Sequence, residues 1–170
     1  MDERYMLEAL ALAKKAAREG EVPVGAVVVR EGEIIGRGYN QRESRASATA
    51  HAEVLAIEQA CRRVGSWRLE DCTLYVTMEP CPMCAGAMVN SRIGRVVFGC
   101  YDAVAGCCGS VLNFNCYPFN HSFAIEGGVR AEECKKLLIW NKKICSRVLW
   151  IFARCDNLCD NGNSNGAYCP

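Results

Sequence analysis

Val24-Gly25-Ala26-Val27-Val28-Val29-Arg30, Glu31-Gly32, Glu33-Ile34-Ile35-Gly36-Arg37-Gly38-Tyr39: the fold class turns on these consecutive residues. The first run is β-branched and apolar without alternation, which predicts a strand buried on both faces. The second alternates less cleanly and reads as its partner, joined through Glu31-Gly32, a two-residue hairpin signal. Upstream, residues 2–19 place Met6, Leu10, Ala13 and Ala17 at helical spacing, and Gly20 and Pro23 close that helix. Downstream, residues 40–50 are small and polar, a loop. His51 to Arg63 has helical spacing through Val54, Ile57 and Cys61 and ends near Gly65. Cys72 to Met78 is a second buried strand. Cys81 to Val89 follows as a helix with Pro82 in its first turn. Arg95 to Phe98 is a short strand, residues 99–121 are irregular, Ser122 to Ile125 is a strand, and Glu132 to Lys143 is a helix. This alternation argues an α/β fold whose sheet opens with a hairpin and continues through parallel crossovers.

The chain has 170 residues, room for one domain at about 100–200 residues each. Apolar residues make up 51%, too many for a disordered chain. A core of this size needs no metal to hold it, so a metal here serves chemistry. The net charge of +1 excludes a uniformly basic nucleic-acid binder but not a local patch. One such patch is visible. Residues 130–154 hold Arg130, Lys135, Lys136, Lys142, Lys143, Arg147 and Arg154 against Glu132 and Glu133, a local +5 that leaves the rest at −4. That asymmetry suits a phosphate backbone, although an ordinary solvated helix face reads the same way. No apolar run is long enough to span a membrane, and the first twenty residues carry too many charges for a secretory signal. The thirteen cysteines are an odd number on a chain of this length, so the expectation is a cytoplasmic protein with reduced, mostly buried thiols. From Cys155 onward Asn, Gly, Asp and Cys dominate and no period survives, which predicts a poorly ordered tail. The domain expectation is therefore residues 1–150 as the folded unit and 151–170 as a tail.

His51-Ala52-Glu53 opens one helix and Glu79-Pro80-Cys81-Pro82-Met83-Cys84 opens another. Cys81 and Cys84 lie three apart, so on a helix their sulfurs face the same way. A helix start stabilises thiolate, the form that binds metal. Zinc accepts sulfur and imidazole nitrogen, and three protein ligands leave the fourth position that a catalytic zinc uses for water. Glu53 is close enough to move that water's proton without being a ligand. Two bland readings stand beside this one: two core cysteines with a capping histidine, or a four-ligand structural zinc.

His-x-Glu, then a strand, then Pro-Cys-x-x-Cys is the signature of zinc nucleobase deaminases. Further stretches narrow the likeness. They are Val22-Pro23-Val24-Gly25-Ala26-Val27, Thr49-Ala50-His51-Ala52-Glu53 and Glu79-Pro80-Cys81-Pro82-Met83-Cys84-Ala85-Gly86-Ala87-Met88. Ser91-Arg92-Ile93-Gly94-Arg95-Val96-Val97-Phe98-Gly99, Gly109-Ser110 and Asn120-His121 extend it. On these residues, from about Tyr5 to Trp140, the chain resembles the bacterial tRNA adenosine deaminases (TadA type) of the cytidine/deoxycytidylate deaminase superfamily. The resemblance implies a three-layer α/β/α cytidine-deaminase-like fold with a mixed five-stranded sheet, and a homodimer. It implies hydrolytic deamination of the wobble adenosine in a tRNA anticodon stem-loop, that of an arginine tRNA, with one zinc ion per chain. His51, Cys81 and Cys84 match the metal ligands and Glu53 the proton shuttle. Asn40 matches the residue that hydrogen-bonds the base. Ala52, Asp102, Asn120 and His121 match further substrate-binding positions.

Read as residues, Asn40 is also a turn asparagine, Asp102 a helix or turn cap, and His121 a solvated loop histidine. Cys107-Cys108 departs from the family, which has small inert residues there, and packing is expected of it. The likeness stops after Trp150. Two rival functions remain. A free-nucleobase deaminase acting on guanine or cytosine shares the site but has little use for a basic patch. A zinc-stapled binding module leaves Glu53 without a task.

Overall fold

The computed structural model describes residues 2–142, and of Trp140, Asn141 and Lys142 the backbone alone. The expected tail and the basic residues from Lys143 onward lie outside these. The elements are α1 (Asp2–Arg18), β1 (Gly25–Arg30), β2 (Glu33–Tyr39), α2 (Ala52–Val64), β3 (Cys72–Met78), α3 (Pro82–Ser91), β4 (Arg95–Cys100), a 3-10 turn (Phe114–Cys116), β5 (Ala124–Gly127) and α4 (Ala131–Lys142). The five strands form one mixed sheet in the order β2-β1-β3-β4-β5. β1 is antiparallel to β2 and β3, while β3–β4 and β4–β5 are parallel. No helix among the described residues is long and apolar enough to cross a membrane.

The hairpin forms as its two-residue turn dictates. Glu31 and Gly32 both take positive φ, at 51° and 81°, the requirement of a turn whose twist matches the strands. β1 is buried along its length because helices cover both sides. α1 lies on one face against β1 and β3, with α4 beside it on β4, and α2 lies on the other face against β2 and β1 with α3 alongside. On the α1 face, a Cβ at Gly25 would fall 2.2 Å from Ala9 O.

Most element boundaries shift by a residue or two from the sequence reading, and three of the shifts have a visible cause. β4 continues through Gly99 to Cys100 rather than stopping at Phe98. Gly99 reads as a breaker but is a strand residue under α4, since a Cβ there would lie 2.3 Å from Cys134 Sγ. β5 starts at Ala124, two residues later than expected, because Asn115 holds Phe123 through both its amide groups. α4 starts at Ala131, after Arg130 in the left-handed region at φ 55°. Eight described cysteines are free, and Cys72, Cys100, Cys107, Cys108 and Cys134 are buried as small apolar residues. Cys116 is disulfide-bonded, against the expectation of reduced thiols.

One polar cluster ties α1 to the sheet. Asp2 Oδ1 accepts from Tyr75 Oη at 2.5 Å and from Arg95 Nη1 at 3.0 Å, and Arg95 also pairs with Glu126. The Arg95 guanidinium, with help from the Tyr75 hydroxyl, holds the Asp2 carboxyl below its ordinary 3.8. A depressed carboxyl stabilises the fold above its unfolded pKa and loses that contribution as pH falls through the folded value. We expect Asp2→Asn to cost about 1–2 kcal/mol in urea unfolding at pH 7. The gap from wild type should close as pH drops below 3.8. A gap that persists unchanged at acid pH would exclude this cluster as its source.

Candidate active site

His51 is the N-cap of α2 and Cys81 the N-cap of α3, both with extended backbone, and neither side chain caps its own helix. Each is therefore free to turn toward the other. α2 reaches this position by lying directly on β2. A Cβ at Gly38 would fall 2.0 Å from Ala52 O, and one at Gly36 would fall 2.2 Å from Ala56 O. Pro82 starts α3, where its missing N–H costs nothing.

The three donors form a compact triangle. His51 Nδ1 is 3.7 Å from Cys81 Sγ and 3.5 Å from Cys84 Sγ, and the sulfurs are 3.6 Å apart. Tetrahedral zinc with bonds of about 2.3 Å to sulfur and about 2.0–2.1 Å to nitrogen needs edges of about 3.8 and about 3.6 Å. The donor set therefore fits one zinc ion, and it is the one such cluster among the described residues. The charges are also prepared for a cation. A hydrogen bond from Cys84, with a second from His51, lowers the Cys81 thiol to about 4 against the effect of burial. Cys84 is pushed up, because its proton serves Cys81 and because it is buried. The hydrogen bond with Cys81 also raises His51. A metal would displace the remaining protons.

Glu53 sits in the first turn of α2 and is 4% exposed. Burial, reinforced by the Cys81 charge, pushes its carboxyl up to about 7. A carboxyl near neutrality both accepts and releases a proton at working pH. The pocket beside it encloses about 150 Å³ and is lined by Val24, Asn40, His51, Glu53, Asp102 and Ala105, among others. That is the room of about five waters at ~30 Å³ each, a space for one heterocyclic ring rather than a chain.

Each expected binding residue has a definite place. Asn40 lines the pocket, and its Oδ1 accepts the Ala52 N–H at 2.9 Å. It thus caps α2 in place of His51 and leaves Nδ2 as its donor toward a ligand. Ala52 has no exposed surface, and its N–H is taken by Asn40. Asp102 caps a turn, its Oδ1 accepting from Val104 N at 2.9 Å and Ala105 N at 3.2 Å, and it also lines the pocket. Burial lifts its carboxyl above the ordinary value against those two donors. Asn120 and His121 do not line the pocket. Asn120 Oδ1 accepts from Arg92 at 2.7 Å, and His121 Nε2 lies 2.7 Å from Ile93 O. In the basic patch, Arg130 is engaged by Glu3 and Glu133.

Two residues escaped the sequence reading. Glu21 is 1% exposed and accepts from Ser44 N at 2.8 Å, Ser44 Oγ at 2.9 Å and Glu43 N at 3.2 Å. Burial opposes its charge, but those donors hold the carboxyl below its ordinary value. Glu79, 2% exposed, accepts from the loop across the pocket. The one sequence signal for Glu79 was an acidic residue beside Pro80 after an apolar run, and Glu21 had none beyond standing two residues before Pro23.

The zinc-binding region of cytidine and deoxycytidylate deaminases matches residues 1–100. The tRNA-specific adenosine deaminase of Bacillus subtilis (strain 168) is 54% identical over 138 residues, 81% of this chain and 86% of its own length. A solved structure from work on A-to-I editing by tRNA:A34 deaminases at the wobble position of transfer RNA superposes with a TM-score of 0.77. It is 37% identical and covers 79% of this chain and 98% of its own. The guanine deaminase of Bacillus subtilis superposes with a TM-score of 0.57 at 40% identity, over 59% of this chain and 65% of its own.

The triangle makes a direct expectation. The purified protein should carry one zinc per chain, and Cys84→Ala should lose most of it on metal analysis. X-ray absorption should show two sulfurs, one imidazole and one lighter oxygen neighbour. A first shell of four protein ligands would instead mark a structural site.

Proposed function

The chain belongs to the cytidine and deoxycytidylate deaminase family, and we propose that it hydrolyses adenosine to inosine at the wobble position of a tRNA anticodon loop. The observation that carries the reading is the His51–Cys81–Cys84 triangle with the Glu53 carboxyl buried beside it in a pocket sized for one ring. The B. subtilis tRNA-specific relative supports the substrate, because its likeness extends over 81% of this chain. The guanine deaminase likeness spans 59% and supports the shared chemistry more than the shared substrate.

Zinc, when held by the three ligands, supplies Lewis-acid activation that brings the pKa of a water toward neutral. The rest falls to side chains. Glu53 takes the proton from the attacking water and places it on the ring nitrogen beside C6. The water oxygen bonds to C6. Glu53 then takes the second proton from the oxygen now bound to C6 and passes it to the amino nitrogen, the C6–N bond breaks, ammonia leaves, and the oxygen stays as the C6 carbonyl of inosine. Asn40 donates from Nδ2 to the base edge while its oxygen stays on Ala52. Asp102 and Ala105 form the opposite wall, and Val24 contributes an apolar surface against the ring. Asn120 and His121 stand outside the pocket, where they would meet neighbouring nucleotides. Ala52 acts by anchoring Asn40.

In this reading the partner is the anticodon stem-loop of an arginine tRNA, the protein works in the cytoplasm as a homodimer, and residues 1–150 are the catalytic domain. Lys135 and Lys136 on α4 begin the basic stretch that would follow the RNA backbone. Residues 151–170 have no assigned role.

Two measurements test this. Glu53→Gln keeps the shape of the side chain but cannot shuttle a proton, so it should retain zinc and RNA affinity and lose turnover by roughly 10²–10⁴. Near-normal turnover would remove Glu53 from the mechanism. For substrate choice, kcat/KM is compared for a stem-loop RNA and for free adenosine, guanine and cytosine. The stem-loop should be strongly preferred, because a lone base forfeits the binding energy of its flanking nucleotides. Efficient guanine turnover with an inert stem-loop would replace this reading by the free-base one.

A further inference from the structure

We propose that Glu79 is a positioning residue for the deamination: its buried carboxylate holds the 102–110 loop as a wall of the substrate pocket and so fixes how the base is seated. The inference rests on the function proposed above.

Glu79 follows β3 and stands two residues before Cys81. No basic side chain pairs with it among the described residues. Both of its oxygens instead face one loop. Oε1 accepts from Cys108 N at 2.9 Å and Ser110 N at 3.0 Å. Oε2 accepts from Asp102 N at 3.0 Å and from Ser110 Oγ in a short contact. The loop wraps the carboxylate so closely that a Cβ at Gly106 would lie 2.3 Å from Glu79 Oε2 and 2.5 Å from Asp102 O. Gly106 N bonds back to Asp102 O at 2.9 Å, and Cys107 N bonds to Pro80 O at 2.9 Å. The anchor therefore sits inside the loop, and the loop is shaped around it.

The anchored residues are those that face the substrate. Asp102 and Ala105 line the pocket, and Asp102 Oδ1 binds the Val104 and Ala105 N–H groups. Asp102 and Ala105 are thus one unit, held to Glu79 through the Asp102 N–H. The loop's apolar support is at its far end, where Cys107 and Cys108 are buried, while Val104, next to the substrate-facing residues, is 39% exposed. Without the carboxylate the wall would shift while the core stayed packed. The charge is needed as well as the shape. A carboxylate has acceptors only, and four donors converge on it. An amide of the same size would turn its own N–H groups toward two of them, leaving buried donors without partners.

The test compares Glu79→Gln, Ser110→Ala and Ser110→Thr with wild type on the adenine-bearing stem-loop, with zinc content and melting temperature measured in parallel. Ser110→Ala removes one donor and leaves Glu79 in place, so the test stands even where Glu79→Gln folds poorly. The expected result is one zinc per chain throughout. KM should rise about 3–10-fold for Ser110→Ala and further for Glu79→Gln, and return to near wild type in Ser110→Thr, which restores the hydroxyl. A raised KM cannot come from a smaller folded fraction, which lowers apparent kcat alone. Unchanged KM in Ser110→Ala, or a Ser110→Thr variant as impaired as Ser110→Ala, overturns the proposal. The function is judged separately, on wild type. If wild type turns over guanine and not the stem-loop, the same variants are measured on guanine, where the same KM pattern supports Glu79 and its absence overturns it.

Discussion

The backbone of α2 rests directly on the backbone of β2, and the site depends on that contact. Gly36 and Gly38 present no Cβ to the helix, and α2 answers with Ala52, Ala56 and Ala60 on the facing side. Two strand glycines carry an entropic cost, and close packing of helix on sheet offsets it. Any side chain at either glycine would meet an α2 carbonyl oxygen within about 2 Å and lift the helix away. Lifting the helix would carry His51 and Glu53 out of reach of Cys81 and Cys84, which another helix supplies.

Within the site, groups of opposite tendency share a small volume. Hydrogen bonds hold the Cys81 thiol down at about 4, while burial holds the Glu53 carboxyl up at about 7. The anionic sulfur is itself one reason that Glu53 resists ionisation. The two roles need such a separation: a ligand must be anionic to bind metal, whereas a proton shuttle must change its state at working pH. The helix starts favour the ligand role, since unpaired N–H groups there stabilise negative charge. Asn40 satisfies one of those N–H groups on α2, which releases His51 from capping.

The strands and both metal-bearing helices were legible because each has a local cause. Apolar runs made β1 and β3, paired positive φ made the hairpin, and Pro82 marked the start of α3. The spacing of His51, Cys81 and Cys84, with Glu53 beside it, made the metal cluster legible for the same reason, since positions on helix starts are readable one by one. Gly99 misled because a glycine that makes room for Cys134 looks, in sequence, like one that ends a strand. Glu21 and Glu79 were not legible as anchors, because their partners are backbone N–H groups more than twenty residues away. No residue type announces a backbone donor. Asn120 and His121 were legible as a motif, but their tie to the end of α3 and the start of β4 is a tertiary fact.

The metal cluster cannot by itself decide which amino-bearing ring is deaminated, so discrimination has to come from the pocket walls. Those walls are loops, and a loop holds a shape only where its backbone groups are satisfied. Here two buried carboxylates supply that satisfaction. Glu21 holds residues 43–44 beside Asn40 and Arg42, and Glu79 holds residues 102–110 on the other side. Both are acceptor-only groups facing clustered N–H donors, an arrangement that a neutral amide cannot reproduce. Asn40 then joins wall and chemistry. Its oxygen is fixed to the start of the helix that carries His51 and Glu53, and the same side chain faces the pocket. In the proposed reaction, a base that draws on Asn40 would therefore act on the position of Glu53 as well, so that recognition and catalysis share one short lever.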